Sequence, residues 1–168
     1  MVQAYNFLAA WQLFPEKCDF QFGMAPKSGN YKMETDNKQH QLIVTTNWVA
    51  QDNGAFYSEY RFTPDGEWHP FDNQDLADSV LGQFKNASCL EIQFQKAEQT
   101  VLTVVKEIMP NGYLKITQTG IQPDGIPFTN VEMYHKQMSV LPYASSVGSV
   151  AIKPTEEGVI KHKALLAM

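Results

Sequence analysis

The stretch from Ser88 to Gln95 decides the fold class. It reads Ser-Cys-Leu-Glu-Ile-Gln-Phe-Gln, so that Leu90, Ile92 and Phe94 alternate with more polar side chains. Successive side chains of a β-strand point to opposite faces, whereas those of a helix repeat every 3.6 residues. The alternation therefore predicts a strand with one buried face and one wet face.

The same alternation recurs on both sides of this stretch, in residues 11–21, 31–35, 40–49, 55–62, 100–108, 112–119 and 126–136. Four turn dipeptides punctuate the chain: Asn53-Gly54, Asp65-Gly66, Asn111-Gly112 and Asp124-Gly125. Such dipeptides supply the positive φ angles that tight hairpins need, and we expect their tips to be exposed. The pattern predicts about eight to ten antiparallel strands in an up-and-down meander.

A meander of this size has two edges that must be protected, and closing the sheet on itself removes both. We therefore expect a closed antiparallel β-barrel of the lipocalin type, an all-β fold, with an open sandwich as the alternative. The predicted interior residues are Leu90, Ile92, Phe94, Leu102, Val104, Leu114 and Ile116.

Helical signals are few. Residues 73–84 place Leu76, Val80 and Phe84 four residues apart, so a short helix competes there with a strand. Residues 155–167 begin with Thr155 before two glutamates, which predicts a C-terminal helix. We expect one domain, with the barrel in residues 1–137 and a C-terminal extension, 138–168, packed on it through a connector over 138–153.

Composition limits the partners. The 168 residues are 43% hydrophobic and 18% charged, with a formal net charge of −5. Nucleic acid and anionic membrane surfaces both attract basic patches, so neither is an expected partner. No segment approaches the roughly 20 apolar residues of a membrane-spanning helix. The N-terminus lacks the basic and apolar regions of a secretory signal, which predicts a cytoplasmic location and favours free thiols at Cys18 and Cys89 over a disulfide.

Several segments resemble calycins, the group that joins lipocalins and fatty-acid-binding proteins, and residues 90–96, 101–106 and 113–118 resemble the late strands of the latter. Residues 7–13, Phe-Leu-Ala-Ala-Trp-Gln-Leu, resemble the first-strand motif F-x-G-x-W-x-L, with Ala9 at the glycine position. Residues 131–134, Val-Glu-Met-Tyr, resemble the R-x-Y carboxylate clamp of the last strand. The resemblance implies a barrel in which Trp11 closes one end and a small hydrophobic molecule binds inside.

Two departures from the fatty-acid-binding proteins qualify this resemblance. Residues 22–30 are too few for the two-helix lid of that family, so we expect a lidless barrel. Glu132 stands where the clamp has arginine, and Tyr134 keeps the tyrosine position. An acid there repels a fatty-acid carboxylate, so we expect neutral or cationic apolar ligands instead.

Four polar residues are candidates for a polar floor in the barrel: Lys106, Gln118, Glu132 and Tyr134. In the alternative register Val131 and Met133 point inward and Glu132 lies in water. Aromatic residues that line a cavity, or simply fill the core, are Trp48, Phe56, Tyr60 and Phe62. Ligand sites are mainly apolar with a few placed polar groups, which is the combination that these residues offer.

Signals for catalysis and cofactors are weak. The four histidines show no metal-binding spacing, no nucleophile motif is present, and we expect no cofactor. His135 is the one candidate for a haem ligand. The leading hypothesis is a binding protein for a small hydrophobic molecule. The alternatives are a plugged barrel that serves as a structural or protein-interaction module, and an isomerase, cyclase or lyase.

Overall fold

The computed structural model describes residues 2–137. The predicted connector over 138–153 and the predicted helix over 155–167 lie outside the described residues. Within the described chain the structure is all-β, with two short 3-10 helices at Val2–Phe7 and Pro15–Lys17. The fold class predicted from the alternation is therefore confirmed.

Eleven antiparallel strands form one sheet. They are β1 (Ala10–Leu13), β2 (Asp19–Phe20), β3 (Ser28–Asp36), β4 (Gln41–Val49), β5 (Ala55–Phe62), β6 (Trp68–Pro70), β7 (Ser79–Asn86), β8 (Cys89–Lys96), β9 (Gln99–Ile108), β10 (Leu114–Ile121) and β11 (Pro127–Lys136). Of residues 73–84, where a helix and a strand were alternatives, 74–76 form a turn and 79–84 belong to strand β7, which begins at Ser79.

The strands follow an up-and-down order, β5-β4-β3-β1-β11-β10-β9-β8-β7-β6, and β2 adds to β11 beyond the end of β1. Each strand from β3 to β5 and from β6 to β11 pairs with its neighbour in sequence. The short β1 joins these two meanders, because it pairs with β3 on one side and β11 on the other. The sheet curls into a nearly closed barrel.

The barrel approaches closure where β5 meets β7. Phe62, the last residue of β5, packs its ring against Gly82 of β7, where an added Cβ would lie 2.3 Å from Phe62 Cδ2. The amide of Gly66 donates to the carbonyl of Gly82 (2.9 Å). Asp65-Gly66 therefore forms a turn but not the predicted hairpin, since it links β5 to β6 at opposite ends of the sheet order.

The other three predicted turns join paired strands. Gly112 and Gly125 have φ of 82° and 88° and are exposed, as expected. In the first turn Asn53 takes the positive φ (67°) and Gly54 is half-buried. The hairpin dipeptides thus end strands as predicted, although the residue in the left-handed region differs in one of them.

The predicted interior face is also confirmed. All seven residues named from the alternation are 2% exposed or less, from Leu90 in β8 to Ile116 in β10. Trp11 is buried as well, and its indole N–H donates to the carbonyl of Phe7 (3.2 Å) in the preceding 3-10 helix. The strand register is therefore the one that the sequence pattern indicates.

Candidate functional site

Lys106 extends from β9 across the barrel interior. It is two residues from Val104, on the same face of the strand, and is fully buried. Its Nζ donates to the hydroxyls of Tyr31 (2.5 Å) on β3 and Tyr60 (3.1 Å) on β5. The amine also lies 4.5 Å from the centroid of the Tyr31 ring. Lys106 thus links strands from opposite walls of the barrel.

Glu132 provides a buried carboxylate on β11. Its Oε2 accepts a hydrogen bond from Tyr134 Oη (2.6 Å), and its Oε1 accepts one from Gln118 Nε2 (3.2 Å). All three side chains are at most 2% exposed. The alternative register is wrong, because Val131 and Met133 lie on the opposite, half-buried face of β11.

Lys106 and Glu132 face the same space without forming an ion pair. Ile116 on β10 is the register partner of both residues. Two strand spacings separate their backbones, roughly 10 Å. Their charged atoms do not come within the 4.0 Å of an ion pair, and each side chain is bonded to neutral partners instead. The interior therefore holds two separate ionisable groups.

Burial governs the protonation of both groups. It lowers the pKa of Lys106 to about 7, against an opposing attraction from Glu132. It raises the pKa of Glu132 to about 7, while the Tyr134 hydrogen bond and Lys106 act in the other direction. Burial also raises the pKa of the Tyr31 and Tyr134 phenols well above 10. The tyrosines are therefore neutral, and the lysine and the acid both titrate near neutral pH.

The predicted aromatic residues divide into two groups. Tyr60 belongs to the main core, where its ring contacts those of Phe94 (centroids 5.7 Å apart) and Phe71 (6.3 Å). Trp48 and Phe56 form a separate cluster with partly buried Phe20 and Phe22. Phe62 lies in the main core, at the seam between β5 and β7. The predicted set therefore does not line one continuous wall.

Trp48 connects its cluster to the polar group. Its indole N–H points towards the Tyr134 hydroxyl and lowers the pKa of that phenol, although burial raises it more. Within residues 2–137, however, the buried Nε1 of Trp48 makes no hydrogen bond of ordinary length and angle. The Tyr134 hydroxyl is therefore the polar group that the indole N–H faces. Phe56 packs against Trp48 (centroids 6.1 Å apart).

Tyr31 was not among the predicted site residues. It lies on the same buried face of β3 as Gly29 and Met33, so the sequence pattern indicates that it points inward. Its contact with Lys106 was not readable, because β3 and β9 approach only after the sheet curls. The ring of Tyr31 also packs on that of Tyr134 (centroids 5.6 Å apart), which joins the lysine and glutamate halves of the site.

The haem hypothesis fails at His135. This residue alternates with the inward Tyr134 and lies half-buried on the outer face, edge-on to Phe14 (6.2 Å). Among the described residues no group of three or more histidine, cysteine or acidic side chains could hold a metal ion. Cys18 and Cys89 are free thiols in the structure, as the sequence favoured.

Neither a protein-family model nor a curated protein matches this sequence. Within residues 2–137, no helix has the length and apolar character needed to cross a membrane. The geometry of the interior is therefore the basis for any functional conclusion.

Proposed function

We propose that this protein binds a small, mostly apolar molecule inside the barrel, with Lys106 and Glu132 as its polar anchors. One observation carries the proposal: two ionisable side chains are buried in the same interior without an ion pair between them. Burying separated charges costs free energy, and such groups concentrate at functional sites.

The contacts of the site favour a ligand with no net charge. Each oxygen of Glu132 accepts one hydrogen bond from a neutral group, and the amine of Lys106 donates to two neutral hydroxyls. A neutral ligand can therefore contact either anchor without adding a charge to the interior. One basic and one acidic group together add little net charge to the interior. The apolar part of a neutral molecule would pack on the neighbouring aromatic rings.

The proposal includes a calycin-like relationship and a cytoplasmic location. The buried Trp11 in the first strand and the up-and-down strand order support the first. Supporting the second are the two free thiols, which suit a reducing compartment.

The plugged barrel is a second candidate function, and one contact favours it. Lys106 reaches Tyr31 and Tyr60 across the interior and so occupies space that a ligand would otherwise use. If these side chains stay in place, the barrel is a rigid module whose outer surface meets a protein partner.

A fluorescent-probe titration tests the proposed function. A neutral apolar probe and a fluorescent fatty acid of similar size are titrated into the full-length protein. We expect saturable binding of the neutral probe, with weaker binding of the fatty acid. We also expect Glu132→Gln to reduce the difference between the affinities for the two probes, because it removes the acid that disfavours a second anion.

A matched pair of outer-face variants provides the control. Lys32 and Glu34 form an ion pair on the exposed face of β3 (2.8 Å). Lys32→Met and Glu34→Gln therefore change charge as the interior variants do, but outside the barrel. Saturable fatty-acid binding that survives Glu132→Gln and disappears with Lys106→Met would show that Lys106 alone binds the polar group of the ligand. No saturable binding of either probe would favour the plugged barrel.

A further inference from the structure

The amine of Lys106 has the surroundings of a nucleophile. We propose that Lys106 forms an imine with the carbonyl carbon of an aldehyde bound in the barrel interior. The inference rests on the proposed function, since the aldehyde must first enter the interior, and it narrows the ligand class to apolar molecules that carry an aldehyde.

The hydrogen bonds of Lys106 match a neutral amine. A neutral amine has two hydrogens and one lone pair, whereas an ammonium has three hydrogens and no lone pair. Two acceptors, the hydroxyl oxygens of Tyr31 and Tyr60, receive hydrogens from Nζ. Nζ also lies over the rings of Tyr31 and Tyr60, 4.5 and 5.6 Å from their centroids, and these partners are neutral groups. In the neutral state both hydrogens of the amine are paired with hydroxyls, and its lone pair can attack a carbonyl carbon.

The electrostatic surroundings support the same state. No carboxylate lies within ion-pair distance of Nζ, and the titratable groups that act on it are Tyr31, Tyr60 and Glu132. Burial lowers the pKa of Lys106 to about 7, so a large fraction of the amine is neutral at neutral pH. Lysines activated by an apolar environment are known nucleophiles towards carbonyl groups. Lys32, by contrast, is exposed and paired with Glu34.

The chemical step balances with groups already in the site. Nζ attacks the carbonyl carbon, a C–N bond forms, and the carbonyl oxygen takes up the proton that the nitrogen loses. The resulting carbinolamine then expels its hydroxyl group with one further proton, as water, and the nitrogen's remaining proton leaves. The two tyrosine hydroxyls that touch Nζ are placed to relay these protons. The net reaction joins one amine and one aldehyde and releases one water.

Reductive trapping tests this inference. The full-length protein is incubated at neutral pH with cinnamaldehyde and cyanoborohydride, which reduces an imine to a stable secondary amine. Peptide mapping by mass spectrometry then locates the adduct. We expect at least about tenfold more adduct at Lys106 than at Lys32, because Lys106 is buried beside neutral hydroxyls whereas Lys32 is exposed and paired with Glu34.

Two comparisons keep the result interpretable. Lys106→Met should abolish the interior adduct, while Lys32→Met should leave it unchanged. Because the wild-type map compares two lysines within one folded molecule, it does not depend on the folding of either variant. Adducts spread evenly over exposed lysines, with none at Lys106, would overturn the inference.

Cinnamyl alcohol, which has the same carbon skeleton and cannot form an imine, separates the two proposals. Saturable binding of the alcohol without an adduct at Lys106 would reject the imine and retain the binding function. No binding of the alcohol and no adduct would reject both.

Discussion

Lys106 and Glu132 lie on β9 and β11, on either side of β10, and both are aligned with Ile116. Their side chains enter the same interior, yet each is stabilised by neutral hydroxyl or amide groups and not by the other's charge. The two groups therefore lack the close contact from which a structural ion pair gains its stability.

The stability of the protein should pass through a minimum near pH 7. The pKa of Glu132 is raised to about 7 from 4.5, so the stability it contributes is lost as pH rises through that interval. The pKa of Lys106 is lowered to about 7 from 10.5, so its contribution is lost as pH falls from 10.5 to about 7. Each group contributes a slope of at most about 1.4 kcal/mol per pH unit.

Urea denaturation across this pH range measures the minimum. Glu132→Gln should remove most of the fall in unfolding free energy between pH 4.5 and 7. Lys106→Met should remove most of its rise between pH 7 and 10.5. Because the two groups interact, each variant also shifts the midpoint of the other. Parallel curves for the wild type and both variants would show that neither group titrates in the folded protein as described.

The interior face of β8 should carry much of the stability. Phe94→Ala removes a buried ring that packs against Tyr60 and Phe71, and we expect it to cost about 3–5 kcal/mol in the free energy of unfolding. Gln93→Ala, on the opposite face of the same strand, should cost less than about 1 kcal/mol. Urea denaturation measures both, and similar losses for the two variants would contradict the register.

The seam between β5 and β7 should be sensitive to one added methyl group. Gly82→Ala places a Cβ where it would meet the Phe62 ring, and we expect a loss of about 1–3 kcal/mol from overpacking. Combining Gly82→Ala with Phe62→Leu should reduce that loss, because the smaller side chain leaves room for the added Cβ. The two substitutions should therefore couple in a double-mutant cycle of unfolding free energies. Additive effects would show that the ring does not limit the space at Gly82.

Asn130 should fasten β2 and its following loop to β11. Its Oδ1 accepts from the amides of Gln21 (2.9 Å) and Phe22 (3.0 Å), and its Nδ2 donates to the carbonyl of Phe22 (2.9 Å). Asn130→Ala removes three hydrogen bonds and should cost about 1–3 kcal/mol. Amide hydrogen exchange at Gln21 and Phe22 should accelerate, while the amide of Gln122, in a turn at the end of β10, should stay unchanged.

The sequence predicted the direction of the site residues better than their contacts. Lys106 shares a strand face with Leu102 and Val104, and Glu132 shares one with Phe128, so alternation alone places both inside. The contact of Lys106 with Tyr31 depends on how far the sheet curls. Periodicity along a strand contains no such information.

Turns account for the remaining differences between the predicted and the observed fold. The hairpin between β8 and β9 turns at Ala97 and Glu98, which both have positive φ (50° and 63°) although neither is glycine or asparagine. Strand pairing on both sides imposes that conformation, against the local preference of the residues. Asp65-Gly66 has the composition of a hairpin turn, but the chain crosses there from one end of the sheet to the other. Local composition predicts a turn without specifying which strands it joins.

The most direct test of an interior binding site is a methyl NMR titration of the full-length protein with a neutral apolar probe. Ile116 lies between Lys106 and Glu132 and is 2% exposed, whereas Ile121 and Ile126 are 52% and 56% exposed. Binding in the interior predicts saturable shifts at Ile116 and at Ile92, which is buried in the same core, with Ile121 and Ile126 unchanged. Shifts confined to Ile121 and Ile126, with Ile116 unmoved at saturating probe, would contradict the account.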